Sequence, residues 1–250
     1  VHLFITRSVE YKTTGWKLES GGGHITFTDG CNIGHVRLIG SRDIETFPLK
    51  QIKRVRIVKR ADGYYCQFGL QATRQIEHVP TGKQVGIDMG LHAYSTDSEG
   101  KTVANPRYLR KAETRLKRLH RKQNKCAKKS KNRNKAQKKL AKAHLKVQRQ
   151  REDFARKQAS TLILSCDMVA YEKLSIRNMA KNHHLAKSIS DASWGKFIAW
   201  VTYYGGIHTV PVLAVAPQFT SQDCSACGTR VKKSLSVRTH VVSSLRHGNG

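Results

Sequence analysis

Two hundred and fifty residues are enough for a real core and for one to three domains. With 46 Lys and Arg against 17 Asp and Glu, a formal +29 and a pI near 10.3, the expected partner is a polyanion; nucleic acid is the default, and an anionic membrane is the weaker alternative because the basic residues do not stand opposite a Trp- or Leu-rich face. No run reaches the roughly 20 apolar residues of a membrane span, no signal peptide is visible, and cysteines at 31, 66, 126, 166, 224 and 227 lack small-domain disulfide spacing, which suits a reducing compartment and metal binding.

Residues 1–81 read as β-rich. Short alternating runs such as "HITFTDG", "HVRLIG" and "VRIVKRADGYYCQFGL" are broken by Gly and Asp-Gly. Asp62-Gly63 is a hairpin-turn signal between two of them. A small barrel or sandwich is the expected packing.

Residues 83–106, "KQVGIDMGLHAYSTDSEGKTVANP", change character. Val85 and Ile87 alternate along a buried strand expected to end at Asp88. "HAYST" then turns through "DSEG" into "KTVAN" as a hairpin.

From Arg107 to Lys157 the chain reads as helical and basic, with 22 Lys and Arg against three acids, a net +19. Leu109, Ala112, Leu116 and Leu119 fall at helical spacing. After a predicted break at "KSKNRNK", 129–135, Ala136, Leu140, Ala143, Val147 and Phe154 continue a narrow stripe. Two helices packed as a hairpin over about 107–160 would bury that stripe. A charge run is often a solvated helix face or a disordered tail, but acids are nearly absent and the stripe argues against plain disorder. Phosphate-backbone contact is the expectation for Arg107, Arg110, Lys111, Arg115, Lys117, Arg118, Arg121, Lys122, Lys138, Lys139, Lys142 and Arg149.

"CDMVAYEKLSI", 166–176, reads as a second buried strand. "SDASWGKFIAWVTYYGG" reads as an amphipathic helix, capped by Ser190 or Asp191 and ended by the paired glycines. "HTVPVLAVAP", 208–217, is a third apolar strand. The order strand, hairpin, long helices, strand, helix, strand predicts an α/β core with a mixed sheet.

Two acids and two thiols hold the candidate chemistry. Asp88 ends one predicted central strand and Glu172 another. A carboxylate there is costly unless compensated, and magnesium is one compensation. Two-metal phosphodiester hydrolysis needs acids converging from different strands, with the ions about 4 Å apart. The plainer alternatives stay open: a turn residue before Met-Gly for Asp88, and surface pairing with Lys173 or Arg177 for Glu172. Cys224 and Cys227, two residues apart, can hold zinc from one side. His240 and His247 could complete a two-Cys, two-His finger. The six residues between those histidines exceed the usual spacer, so an open or empty half-site is favoured.

In order, "VGIDMGLHAYSTDSEG", the basic hairpin, "VAYEKLSIRNM", "WGKF" and "PQFTSQDCSACGTR" resemble the TnpB/OrfB proteins of insertion sequences over about 83–240. These are transposon-encoded, RNA-guided DNA endonucleases related to type V CRISPR effectors. The resemblance implies a mixed α/β, RNase H-like RuvC nuclease domain at 82–218. It implies a β-rich wedge barrel at 1–81, incomplete at its start and without a helical recognition insert. It implies the first half of a zinc ribbon at 219–250, with Cys224 and Cys227 as its first knuckle. Asp88 and Glu172 match the first two acids of an Asp, Glu, Asp triad that binds Mg²⁺. The third acid, expected past a second knuckle, has no counterpart here. Guide RNA and target DNA are the implied partners, in a prokaryotic cytoplasm beside the nucleoid.

Val242–Gly250 can be encoded so that a one-base shift reads Cys-Leu-His-Cys-Gly-Thr-Val-Met followed by an acid. That would restore the knuckle, so a frameshift that ends the reading frame early is the expectation. Two readings without chemistry compete: a basic, repressor-like nucleic-acid binder and a ribosomal-type RNA binder. The ribosomal-type reading predicts no need for Asp88 and Glu172 to meet; a Mg²⁺-dependent cleavage assay separates the repressor-like one.

Overall fold

A computed structural model describes residues 8–19, 21–28, 33–40, 44–217 and 230. Two units emerge. One runs to Ile76 and resumes over Tyr108–Asp153; the other takes Glu77–Arg107 and the chain from Phe154 onward.

The first unit holds two three-stranded antiparallel sheets. β1 (Ser8–Lys12), β5 (Ile52–Lys59) and β6 (Tyr64–Leu70) form one, in the order β1-β5-β6. β2 (Trp16–Leu18), β3 (His24–Phe27) and β4 (His35–Arg37) form the other, with β3 central. Period-2 alternation sends Ile25 and Phe27 inward, where they meet Tyr11, Trp16, Ile52 and Val55 in one buried cluster. Ile52 and Val55 are three residues apart and both buried because the register slips between Ile52 and Arg54. At Asp62-Gly63, β5 turns into β6 and the Arg60 N–H donates to the Gly63 carbonyl at 2.8 Å.

α1 (Tyr108–Lys125) and the first part of α2 (Lys131–Leu164) complete this unit. Leu116, Ala136, Leu140 and Val147 are buried, as their spacing predicts. The break falls at 126–130 rather than 129–135, and "KNRNK" is helical despite having no apolar residue. Capping accounts for the shift. Ser130 Oγ accepts from the Arg133 N–H at 3.1 Å, while the Arg133 guanidinium donates to the Gln123 carbonyl of α1 at 3.3 Å and to the Cys126 carbonyl just past its end at 3.2 Å.

The second unit is built on a five-stranded mixed sheet ordered β11-β10-β7-β8-β9. β7 (Gln84–Met89), β8 (Ala93–Asp97) and β9 (Thr102–Ala104) make an antiparallel meander; β10 (Met168–Glu172) and β11 (Val212–Val215) add in parallel beyond β7. Val85, Ile87, Met89 and Val169 pack with Ala155, Ala159 and Ile163, one stripe of α2 at i, i+4 and i+8. Ile189 of α4 (His183–Ala192) and Trp194, Phe197 and Val201 of α5 (Trp194–His208) close the same core. A short α3 (Ile176–Met179) precedes α4.

Two sequence expectations about α5 are corrected. Ser190 and Asp191 belong to α4, and Asp191 is buried; α5 begins only after Ser193, whose left-handed backbone (φ 58°) ends one helix and opens the next. Gly205 and Gly206 remain helical, and α5 ends at the left-handed Thr209 (φ 57°). Gly205 answers to packing instead. A Cβ there would lie 2.5 Å from Val212 Cγ2 and 2.9 Å from the Val210 carbonyl oxygen, so only glycine lets β11 approach this closely.

Candidate nuclease centre and basic helices

β7 alternates cleanly. Val85, Ile87 and Met89 are buried, whereas Gln84 and Asp88 are exposed on the opposite face with Gly86 between them. β10 runs parallel beside it, and the last paired residues are Tyr171 and Ile87. One step further in that register, Glu172 stands next to Asp88. Pairing of Ala170 with Gly86 places both acids on the face away from the core. β7 extends to Met89, one residue past the predicted end, so Asp88 lies inside the strand.

Neighbouring strands lie about 4.8 Å apart, so two same-face carboxylates can reach one cation. Like charges side by side repel unless something compensates them, and a cation is one compensation. Glu172 also pairs with Val215 on β11, and Asp88 with Thr96 on β8. Beneath the acids, Gly86 and Ala170 have almost no side chain. Both acids sit at the carboxyl ends of parallel strands, the edge where open α/β sheets accept ligands. Thus the described residues bring Asp88 and Glu172 together.

The basic residues divide by their partners. Glu113 meets Lys117 at 2.8 Å and Arg110 at 3.8 Å. Arg149 donates to Asp62 Oδ2 at 2.7 Å and to the Tyr65 hydroxyl at 2.6 Å, and lies 5.4 Å from the Tyr65 ring centroid. Those bonds hold the Arg149 guanidinium above its ordinary pKa and tie α2 to the β5–β6 turn. Lys111, Arg115, Arg118 and Lys122 are exposed at i, i+4, i+7 and i+11, with no acid at ion-pair distance among the described residues. Arg121, Lys138, Lys139 and Lys142 are exposed on α1 and α2, and Arg107 is exposed just before α1 with φ 49°.

Sequence reasoning missed Asp167, which precedes β10. Its carboxylate accepts from Thr81 N–H (2.8 Å), Thr81 Oγ1 (2.9 Å), Gly82 N–H (2.7 Å) and His78 Nε2 (2.8 Å). The available signal was "HVPTG", whose Thr-Gly turn offers adjacent N–H donors. Cys224, Cys227, His240 and His247 lie outside the described residues.

A family model described as "Probable transposase", OrfB_IS605, matches residues 67–183, and a "Cas12f1-like, TNB domain" model matches 194–248. These cover both acids and the Cys224–Cys227 pair. Over both stretches the chain is similar to TnpB/OrfB-family proteins. Among TnpB/OrfB relatives, a "Putative RNA-guided DNA endonuclease" of Streptomyces pristinaespiralis is 35% identical over 160 residues, 63% of this chain and 40% of its own length. "Putative RNA-guided DNA endonuclease InsQ" of Escherichia coli (strain K12) is 24% identical over 216 residues, 80% of this chain and 53% of its own. The chain therefore spans about half the length of these relatives. The fold matches a protein chain from a cryo-EM structure of a Cas12f1–sgRNA–target DNA complex with TM-score 0.54 at 12% identity, over 90% of this chain and 52% of that one. No helix among the described residues is long and apolar enough to cross a membrane.

Proposed function

We propose that this TnpB/OrfB-like chain binds guide RNA and target DNA, and that Asp88 and Glu172 are two acids of a RuvC-like, metal-dependent DNA endonuclease centre. The observation that carries the reading is the placement of both acids on one face, at the carboxyl ends of adjoining parallel strands. A three-stranded meander extended by two parallel strands supports the RNase H-like assignment of 82–218. The two small sheets around one core support a wedge-barrel reading of 1–81. The TNB-domain match supports a zinc-ribbon reading of 219–250, with Cys224 and Cys227 as ligands.

The residues divide the work. Asp88 and Glu172 would hold Mg²⁺ through hard carboxylate oxygens. When bound, the metal supplies Lewis acidity toward a phosphate oxygen and a more acidic water. Lys111, Arg115, Arg118 and Lys122 would hold a phosphate backbone without reading bases, leaving sequence choice to the guide.

The competing reading is a basic binder without chemistry, favoured by the +29 charge alone. A Mg²⁺-dependent DNA cleavage assay with guide RNA, on the unaltered chain and on Asp88→Ala, separates the two. Residual cutting that disappears in the variant, with RNA binding unchanged, supports the nuclease centre. Equal cutting in both chains, or none in either, leaves the binder.

A further inference from the structure

We propose a second metal site, for a late first-row divalent ion such as Zn²⁺, formed by Glu19, His24 and His35 in the β-rich unit. Alternation on β3 buries Ile25 and Phe27 and turns His24 and Thr26 outward. His35 pairs with Thr26 across β4, so both imidazoles lie on the outward face. Glu19 follows β2, and its N–H donates to the His24 carbonyl at 3.1 Å, which places it directly across from His24. The two nitrogens and the carboxylate oxygen lie within 4.8 Å of one another.

The spacing suits a shared ion better than hydrogen bonds. Glu19 oxygens stand 3.7 Å from His24 Nδ1 and 3.2 Å from His35 Nδ1. A charge-assisted N–H···O⁻ bond is usually about 2.7–2.9 Å, shorter than either. Ligands held about 2.1 Å from a tetrahedral metal lie about 3.4 Å from each other, between the two observed distances. The imidazoles stack with centroids 4.7 Å apart and planes at 15°, both Nδ1 atoms directed at one carboxylate. Thr26 Oγ1 hydrogen-bonds His35 Nδ1 at 3.2 Å, and would turn to a metal-bound water once that nitrogen ligates.

Charge nearby narrows the ion. Lys17 pairs with Thr26 and Arg37 with His24, so both cations share this face. They disfavour a hard ion held only by charge. Imidazole ligation, with its covalent share, selects zinc-like metals over Mg²⁺. A bound ion would add a link between β3, β4 and the residue that follows β2, and should therefore stabilise the fold.

The test is a Zn²⁺ titration of the full chain carrying Cys224→Ser and Cys227→Ser, by calorimetry and thermal melting. One Zn²⁺ that depends on Glu19, His24 and His35 is expected, besides any held by Asp88 and Glu172, with a rise in melting temperature; His24→Asn, His35→Asn and Glu19→Gln should each weaken that ion's binding more than about tenfold. Unchanged affinity in the three variants, or no binding by the parent, overturns the proposal. Should a variant fail to fold, Co²⁺ added to the Cys224→Ser/Cys227→Ser parent decides by NMR: the ring protons of His24 and His35 should broaden before those of the other ten histidines. Broadening elsewhere first, or none, also overturns it.

Discussion

Asp167 shows how one carboxylate can fasten a loop to a strand. The backbone N–H of Thr81 is the main cause of its pKa lying well below the usual carboxylate range; His78, the Thr81 hydroxyl and the Gly82 N–H add to it. A carboxyl whose folded pKa is depressed stabilises the fold fully above its unfolded pKa and loses that contribution as pH falls toward the folded value. Asp167→Ala should therefore lower the melting temperature at neutral pH, and the gap from the unaltered chain should narrow below about pH 4. A variant equally destabilised at pH 7 and at the acid end would contradict this account. Asp88 and Glu172 follow a different logic: nothing comparable cradles Asp88 among the described residues, and its neighbour in register is another acid. Their scarcity and the strands that hold them were legible in the sequence, although β7 runs one residue past Asp88. Glu19, His24 and His35 were not legible as a group, since two chain reversals separate them and only cross-strand register unites them.

At the scale of elements, α5 and α1 yield separate predictions. Gly205→Ala gains up to about 1 kcal/mol in helix propensity. It also drives a methyl into Val212 and the Val210 carbonyl, an overpacking that costs about 1–3 kcal/mol. A net loss of stability by denaturant titration is expected. Gly206→Ala, with no atom within 4 Å of the new methyl, should be neutral or stabilising. Equal effects at the two positions would refute the close approach of β11. On α1, replacing Lys111, Arg115, Arg118 and Lys122 by Gln should reduce the salt slope of nucleic-acid binding by about 0.9 per lost phosphate contact, roughly 3–4 for the set. Replacing Arg110 and Lys117, already facing Glu113, should change it less; a slope insensitive to the first set would remove α1 from the interface. The strands and long helices were readable because their periods are strong. The caps misled, since Ser190 and Asp191 have capping chemistry while a second helix, α4, claims them, and the glycines mark close packing rather than a helix end.

For the molecule as a whole, the +29 charge makes polyanion binding the first expectation. The mixed α/β fold and the family resemblance were legible because five short motifs keep their order along the chain. The proposed cutting, unlike binding, rests on one cation shared by Asp88 and Glu172. Mn²⁺ titration of the full chain, followed by electron paramagnetic resonance, measures that cation directly. The account predicts an ion bound by the unaltered chain, lost in both Asp88→Ala and Glu172→Ala, and retained in Glu19→Gln. Retention of that ion when either strand-end acid is removed would contradict it.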